Sequence, residues 1–488
     1  MKRVIALVTA LTLGFTTFSA PHPSAVAKTP RAAKAGKTPN VIVIVADDLG
    51  YADISAYGAT RISTPNIDRI GLEGVRFTDA YVSAPVCGPS RAGIQTGRYQ
   101  GRFGYEYNNG PPQRDVEENL GLPPDELTMG EALGRQGYQT ALIGKWHLGS
   151  NDAYYPTNRG YQAFVGFLTG DTAYMRLDHP DLRYAPTADV ALPRRTPQSQ
   201  IIEGPGRTVV HNEDEYLTDY FGRRAAEYVT QAARSDRPYF LMLTPNAPHT
   251  PLMVTRKYYE RFPQIADERA RVYAAMISAL DDMVGEVLKA VDASGEADDT
   301  IVVFLTDNGC ASYIPGLCSC EPLRGGKLSH YEGGVRAPMM VRWPAKLKPG
   351  QVNREVVSSL DIFPTALAAA GGTLPKDRVY DGVDLTPYLT GEKAGPPHDL
   401  LAWRRRPLAS IRIGDWKLWK SLDGQYTLLF NLKDDLNETT NLAASRPDKL
   451  RELEAAFDRW AKDMQDPRWP SRPPRDQDVC GTPFKLPI

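Results

Sequence analysis

The 488-residue chain predicts an α/β fold: a large mixed sheet flanked by helices, then a smaller antiparallel sheet with one helix. Three observations carry this expectation. Four short apolar runs, several rich in β-branched residues, each end in polar residues. Helical patterns separate them. After the Gly- and Pro-rich stretch around Leu385 to Pro397, the pattern changes to closely spaced short strands.

The elements follow in chain order. Lys2 and Arg3, the apolar run Val4 to Phe18, and Ala25-Val26-Ala27 fit an export signal over residues 1–27, and so a periplasmic or secreted protein. That run is short for a membrane span of about 20 residues, so no stable membrane insertion is expected. Residues 28–38 read as a flexible lead-in. The main domain is expected over 39–395. Its strand runs are Val41 to Val45, leading into Asp47 and Asp48; Thr140 to Ile143, leading into Lys145; Tyr239 to Leu243, leading into Thr244-Pro245; and Ile301 to Leu305, leading into Asp307 and Asn308. Helices are expected at Leu127 to Gln136, Tyr216 to Arg234 and Glu268 to Ala293. The C-terminal α+β part, 396–488, has strands at Leu400 to Trp403, Ala409 to Ile413, Trp416 to Lys420 and Tyr426 to Asn431. A helix follows over Leu450 to Met464.

Ligands of such sheets sit beyond the carboxyl ends of the strands. Polar groups with metal-binding or acid–base chemistry stand within a few residues of those ends in all four cases. Asp47, Asp48, Asp307 and Asn308 offer the oxygen ligands that a hard divalent cation prefers. Ligand type alone admits Ca²⁺ and Mg²⁺, whereas zinc would favour nitrogen or sulfur. The formal net charge of −1 gives no support for a nucleic-acid partner.

Five cysteines leave one thiol over in an exported chain, and Cys87 stands far from the others. A bridge across Cys318-x-Cys320 is strained, so Cys310 is expected to pair with one of these two and Cys480 with the other. Arg404-Arg405-Arg406 reads as a solvated face, though it shares with Tyr105, Tyr107, Tyr174, Arg176 and Arg324 the chemistry to hold a sulfated sugar. His179, His211 and His398 read as exposed loop histidines.

The segment Cys87-Gly88-Pro89-Ser90-Arg91, followed by Thr96-Gly97, resembles the sulfatase family of the alkaline phosphatase superfamily, whose signature is Cys-x-Pro-Ser-Arg and then Thr-Gly. Gln95 departs from that family's usual Leu. Further matches run along nearly the whole chain: Gly144 to Gly149, Pro248 to Pro251, Thr306 to Gly309, Gly325 to Lys327, Glu332 to Pro338, and Leu429 to Leu442.

The resemblance implies an alkaline phosphatase-like fold and the hydrolysis of sulfate esters. It implies conversion of Cys87 to formylglycine by a maturation enzyme, with Ca²⁺ held by Asp47, Asp48, Asp307, Asn308 and residue 87. The implied catalytic set is Cys87, Arg91, Lys145, His147, His249 and Lys327. The hydrated formylglycine attacks sulfur through one hydroxyl. His249, assisted by Lys327, protonates the leaving alcohol. His147 takes the proton of the second hydroxyl as the formylglycine-sulfate intermediate releases sulfate. The expected substrate is a sulfated carbohydrate or an aryl sulfate. A phosphonate monoester or phosphodiester hydrolase on the same scaffold is the alternative; a non-catalytic carbohydrate-binding relative would need a lost site residue, and none is lost.

Overall fold

A ten-stranded sheet forms the centre of the molecule. Its strands are β1 (Asn40–Ala46), β2 (Val75–Phe77), β3 (Gln139–Lys145), β4 (Ala163–Phe167), β5 (Ile202–Glu203), β6 (Thr208–Val209), β7 (Tyr239–Thr244), β8 (Thr300–Thr306), β9 (Met339–Arg342) and β10 (Gln351–Asn353). Their order is β10-β2-β9-β8-β1-β7-β3-β4-β5-β6. The four strands legible as apolar runs stand side by side, β8-β1-β7-β3, and pair in parallel. The antiparallel pairs β8–β9, β9–β2, β4–β5 and β5–β6 flank them and make the sheet mixed. This computed structural model describes residues 37–110, 112–187, 195–197, 199–314, 316–318, 322–471, 473, 475–480 and 482–486. The expected export signal lies outside the described residues, as does most of the lead-in.

Every residue of β1 is buried. Alternation along the strand sends Ile42 and Ile44 to one face and Val41, Val43 and Val45 to the other, and each set joins a separate apolar cluster. The first cluster includes the buried faces of the helices Leu217–Ala232 and Glu268–Ser294. A sheet covered on both faces needs continuous apolar strands, which is why these four were readable.

Register then places the chemistry. β1 and β8 align from Asn40 opposite Thr300 to Ala46 opposite Thr306. Asp47 and Asp307 therefore leave the sheet side by side. β3 and β7 align to Gly144 opposite Thr244, which brings Lys145 to the same edge.

The C-terminal strands β11 (Leu400–Arg405), β12 (Leu408–Ile413), β13 (Trp416–Ser421) and β14 (Thr427–Asn431) form an antiparallel meander. The last helix spans Pro447–Ala461, earlier at both ends than its apolar periodicity suggests. Pro447 fits the first turn, where no backbone N–H partner is lost. Leu453 and Phe457 pack on Ala402, Ile411 and Leu418, whereas Met464 lies beyond the helix and packs with Tyr99 and Leu360. No helix among the described residues is long and apolar enough to cross a membrane.

Candidate active site

Cys87 opens the helix Cys87–Thr96, all of whose residues are buried. It is a free cysteine, and its Sγ lies 3.9 Å from Asp48 Oδ1. Burial pushes the thiol up to about 12 despite Lys145 and Lys327 nearby. An unmodified thiol there is a poor nucleophile at neutral pH.

Around it the strand ends deliver opposite charges. Lys145 Nζ donates to Asp47 Oδ2 at 2.7 Å, and both side chains are fully buried. Arg91 Nε donates to Asp307 Oδ2 at 2.9 Å. Its Nη1 reaches the Lys145 carbonyl at 3.2 Å. Lys327 Nζ donates to Asp48 Oδ2 at 2.8 Å. Asn308 Nδ2 donates to Asp48 Oδ1 at 2.7 Å. The loop backbone is bent to make these contacts. Asp48 and His147 adopt φ of 62° and 57°, a region that short polar side chains enter more readily than others. Gly309 has no alternative on steric grounds, since a Cβ there would lie 1.8 Å from the Gly333 carbonyl oxygen. That close approach seats the loop of Asp307 and Asn308 against the segment carrying Lys327.

The electrostatics follow from burial and neighbours. Burial alone would raise Asp47, but Lys145, His249, Arg91 and Lys327 together hold it well below the usual carboxylate range. Asp307 is pushed up to about 6, first by burial and then by Asp47. Burial, with Lys145 and Arg91, drives His147 well below its ordinary value, so its ring is neutral. Lys327 is held above its ordinary value by Asp48 and Cys87, against the pull of burial.

His249 sits between two cis X–Pro bonds. Its Nδ1 lies 2.6 Å from the Thr250 carbonyl oxygen, which can only accept, so Nδ1 carries a proton. Nε2 then faces Lys327 Nζ at 3.1 Å and Asp48 Oδ2 at 3.4 Å. Tyr174 braces this loop, its hydroxyl donating to the Asn246 and His249 carbonyls at 2.5 and 2.9 Å. Tyr174 and Tyr105 are fully buried, so neither is an exposed sugar platform.

Ligand atoms of Asp47, Asp48, Cys87 and His249 lie within 4.8 Å of one another, a group able to hold a metal ion. Two buried acceptors at this point, Asp47 Oδ1 and Asn308 Oδ1, have no hydrogen-bond donor. Unmet acceptors among carboxylates are what a cation satisfies, so the donor set fits a hard divalent ion. Sequence placed His249 among the proton donors only; its reach to the carboxylate cluster was hidden by the separation of the segments.

A family model described as Sulfatase matches residues 39–372. The chain belongs to the sulfatase family. As a sulfatase it is an enzyme that hydrolyses sulfate esters, and membership implies a metal and a formylglycine. A second model, N-sulphoglucosamine sulphohydrolase, C-terminal, matches residues 326–460. Arylsulfatase G of Rattus norvegicus is 32% identical over 461 residues, covering 84% of each chain. Arylsulfatase A of Homo sapiens is 32% identical over 435 residues, covering 86% of this chain and 82% of its own. Among solved structures, Ps i-CgsB in complex with k-i-k-neocarrahexaose superposes with a TM-score of 0.79 at 34% identity, covering 89% of this chain and 95% of its own.

The remaining sequence expectations divide. Cys310 pairs with Cys318, with Cα atoms 6.5 Å apart. Cys480 is also disulfide-bonded, and Cys320 lies outside the described residues. The Cys310 carbonyl accepts the Lys327 N–H at 2.8 Å, so this bridged segment touches the lysine's own backbone. His398 is not a free loop histidine: its Nε2 lies 2.8 Å from Asp361 Oδ1. Nor is the arginine run a solvated face. Arg404 and Arg405 point to opposite faces of β11, and both are buried.

Proposed function

We propose that this sulfatase acts through a formylglycine made from Cys87, with Ca²⁺ bound beside it, on a sulfated carbohydrate. The observation that carries this is the convergence of Cys87, Arg91, Lys145, His147, His249 and Lys327 with Asp47, Asp48, Asp307 and Asn308 in one buried cluster. Ligand type alone admits Mg²⁺ as well, and the resemblance to the sulfatase family is what favours Ca²⁺. Residues 39–395 form the catalytic domain in this reading, and 396–488 a C-terminal subdomain.

The chain's own residues supply most of the chemistry. Three carboxylates, Asp47, Asp48 and Asp307, face three cations, Arg91, Lys145 and Lys327, so a bound divalent ion leaves a net positive site for an anionic ester. When present, the ion and the formylglycine supply an acidified hydroxyl pair at position 87. Lys145 and Lys327 hold the sulfate oxygens where charge builds. His249 Nε2, fed by the Lys327 ammonium at 3.1 Å, delivers a proton to the leaving alcohol oxygen. Neutral His147 accepts the proton of the second hydroxyl, which frees sulfate.

Carbohydrate is favoured because the solved relative at 34% identity is in complex with a neocarrahexaose. N-acetylgalactosamine-6-sulfatase of Canis lupus familiaris is a further relative, 30% identical over 407 residues. The test is sulfate release by protein from a host able to oxidise Cys87, assayed on defined sulfated saccharides, aryl sulfate and aryl phosphonate. Turnover preferring the phosphonate would transfer the assignment to phosphonate ester hydrolysis.

A further inference from the structure

Arg405 ends β11 and is 1% exposed, as deeply buried as Cys87 at 1%. None of its three guanidinium nitrogens has a hydrogen-bond partner. His330, close enough for the charge of Arg405 to act on it, is fully buried, and neither ring nitrogen has a partner. The carboxylates of this neighbourhood are already taken. Arg404 pairs with Glu106, Arg406 with Asp466, and Lys417 with Glu332 and Glu438. The nearest compensation is the Tyr107 ring, whose centroid lies 5.9 Å from Arg405 Cζ, at the outer limit of a cation–π contact. Burial pulls the guanidinium down to about 10, which still leaves it charged at neutral pH. Cys87 is among the groups whose negative form pushes it back up, so Arg405 lies within electrostatic reach of the nucleophile. His330 is kept neutral by burial and by the positive charges of Arg405 and Lys417, so it offers one N–H donor and one acceptor.

An uncompensated buried charge is among the costliest arrangements a fold can keep, and five N–H donors without acceptors add to that cost. The planar fork of arginine matches a sulfate or carboxylate group in two parallel hydrogen bonds. In the mechanism proposed above the scissile sulfate is served by Lys145 and Lys327, and neither Arg405 nor His330 is called on there.

We propose that Arg405, aided by His330, recognises a second anionic group of the substrate, a sulfate or carboxylate adjacent to the sulfate that is cleaved. This rests on the sulfatase assignment of the same site and narrows it to polyanionic saccharides. Arg405 is a specificity residue here and takes no part in bond breaking.

Matured enzyme is compared with its Arg405→Gln and Arg405→Lys variants on nitrophenyl sulfate, which carries one anion, and on a panel of mono- and disulfated mono- and disaccharides. The expected result is a KM raised about tenfold or more by Arg405→Gln on the preferred disulfated substrate, the loss of one charged hydrogen-bonded contact. kcat stays within about threefold, nitrophenyl sulfate kinetics are unchanged, and Arg405→Lys falls between. Equal losses on singly and doubly charged substrates would overturn the proposal. So would a melting temperature that rises with millimolar sodium sulfate or chloride in the parent but not in Arg405→Gln, with no change in substrate preference, because a free structural anion would then fill the site. If Arg405→Gln does not fold, Arg405→Lys decides alone by the same ratio. Failure of the parent on every sulfate ester would instead sink the underlying assignment.

Discussion

Two clusters of buried charge lie on either side of the segment 327–332, and they are built differently. Around Asp48, acids and bases alternate but acceptors are left over: Asp47 Oδ1 and Asn308 Oδ1 have no donor, and His147 Nδ1 and Ser90 Oγ have no partner. Around Lys417 the charges pair with one another, Glu438 Oε1 through an ion pair without a hydrogen bond. Lys417 Nζ lies 2.8 Å from Glu332 Oε1 and 3.0 Å from Glu438 Oε1, with all three side chains fully buried. Glu332 Oε2 takes the Tyr81 hydroxyl at 2.6 Å, and Glu438 Oε2 takes the Glu332 N–H at 2.6 Å. Lys417, Arg336 and Arg412 hold Glu332 down to about 2, against burial. The second cluster ties β13 to the short helix Glu332–Val335 that follows Lys327. An interior network short of partners points to a ligand, whereas a closed one points to architecture.

That contrast can be broken by experiment. Cys87→Ala should lower turnover by about 10⁴-fold or more, the scale of losing a covalent nucleophile, while the melting temperature stays close to that of the parent. Undiminished hydrolysis would remove the basis for the mechanism. Metal removal should act on the same cluster alone. Exhaustive treatment with EGTA should abolish turnover and lower the melting temperature, and Ca²⁺ should restore both better than Mg²⁺. Restoration by zinc alone would contradict the oxygen-ligand reading.

Substituting His249→Gln should cost about 10²–10⁴-fold in kcat, the usual weight of a general acid. The loss should shrink for substrates with acidic leaving groups such as nitrophenol, which need less help from a proton. In the closed cluster the readout reverses. Lys417→Met leaves two buried carboxylates facing each other and should cost about 3–5 kcal/mol of stability, seen as a lower unfolding midpoint. Any turnover loss should follow unfolding only.

A smaller effect should come from His398, where the Asp361 carboxylate raises the ring's pKa in spite of burial. Since the folded value is above the unfolded one, this contact stabilises fully below about pH 6.5 and fades as pH rises through the folded value. His398→Ala should cost about 1–2 kcal/mol at pH 5.5 and clearly less at pH 8.5. A pH-independent loss would mean that packing alone is at work.

Local pattern went far in this chain. Strands buried on both faces announce themselves as unbroken apolar runs, and three of the four runs lead into members of the buried charge cluster: Asp47 and Asp48, Lys145, and Asp307 and Asn308. Cys87 stood out by the odd cysteine count and by the motif around it. Arg405 and His398 were misread for related reasons: a run of like charges and a lone titratable loop residue both look solvated until their neighbours are known. Tyr174 was misread because aromatic loop residues resemble binding platforms, whereas its hydroxyl closes two backbone carbonyls.

The amino-acid order by itself located the four central parallel strands, the C-terminal strands and the side chains just past the central strand ends, because these depend on neighbours a few residues away. The tertiary structure alone decided which of those side chains meet. Lys327 reaches Asp48 across 279 positions and Asn308 reaches it across 260. Such contacts follow from strand order and register, and these are set by the packing of both sheet faces at once, which no local pattern records.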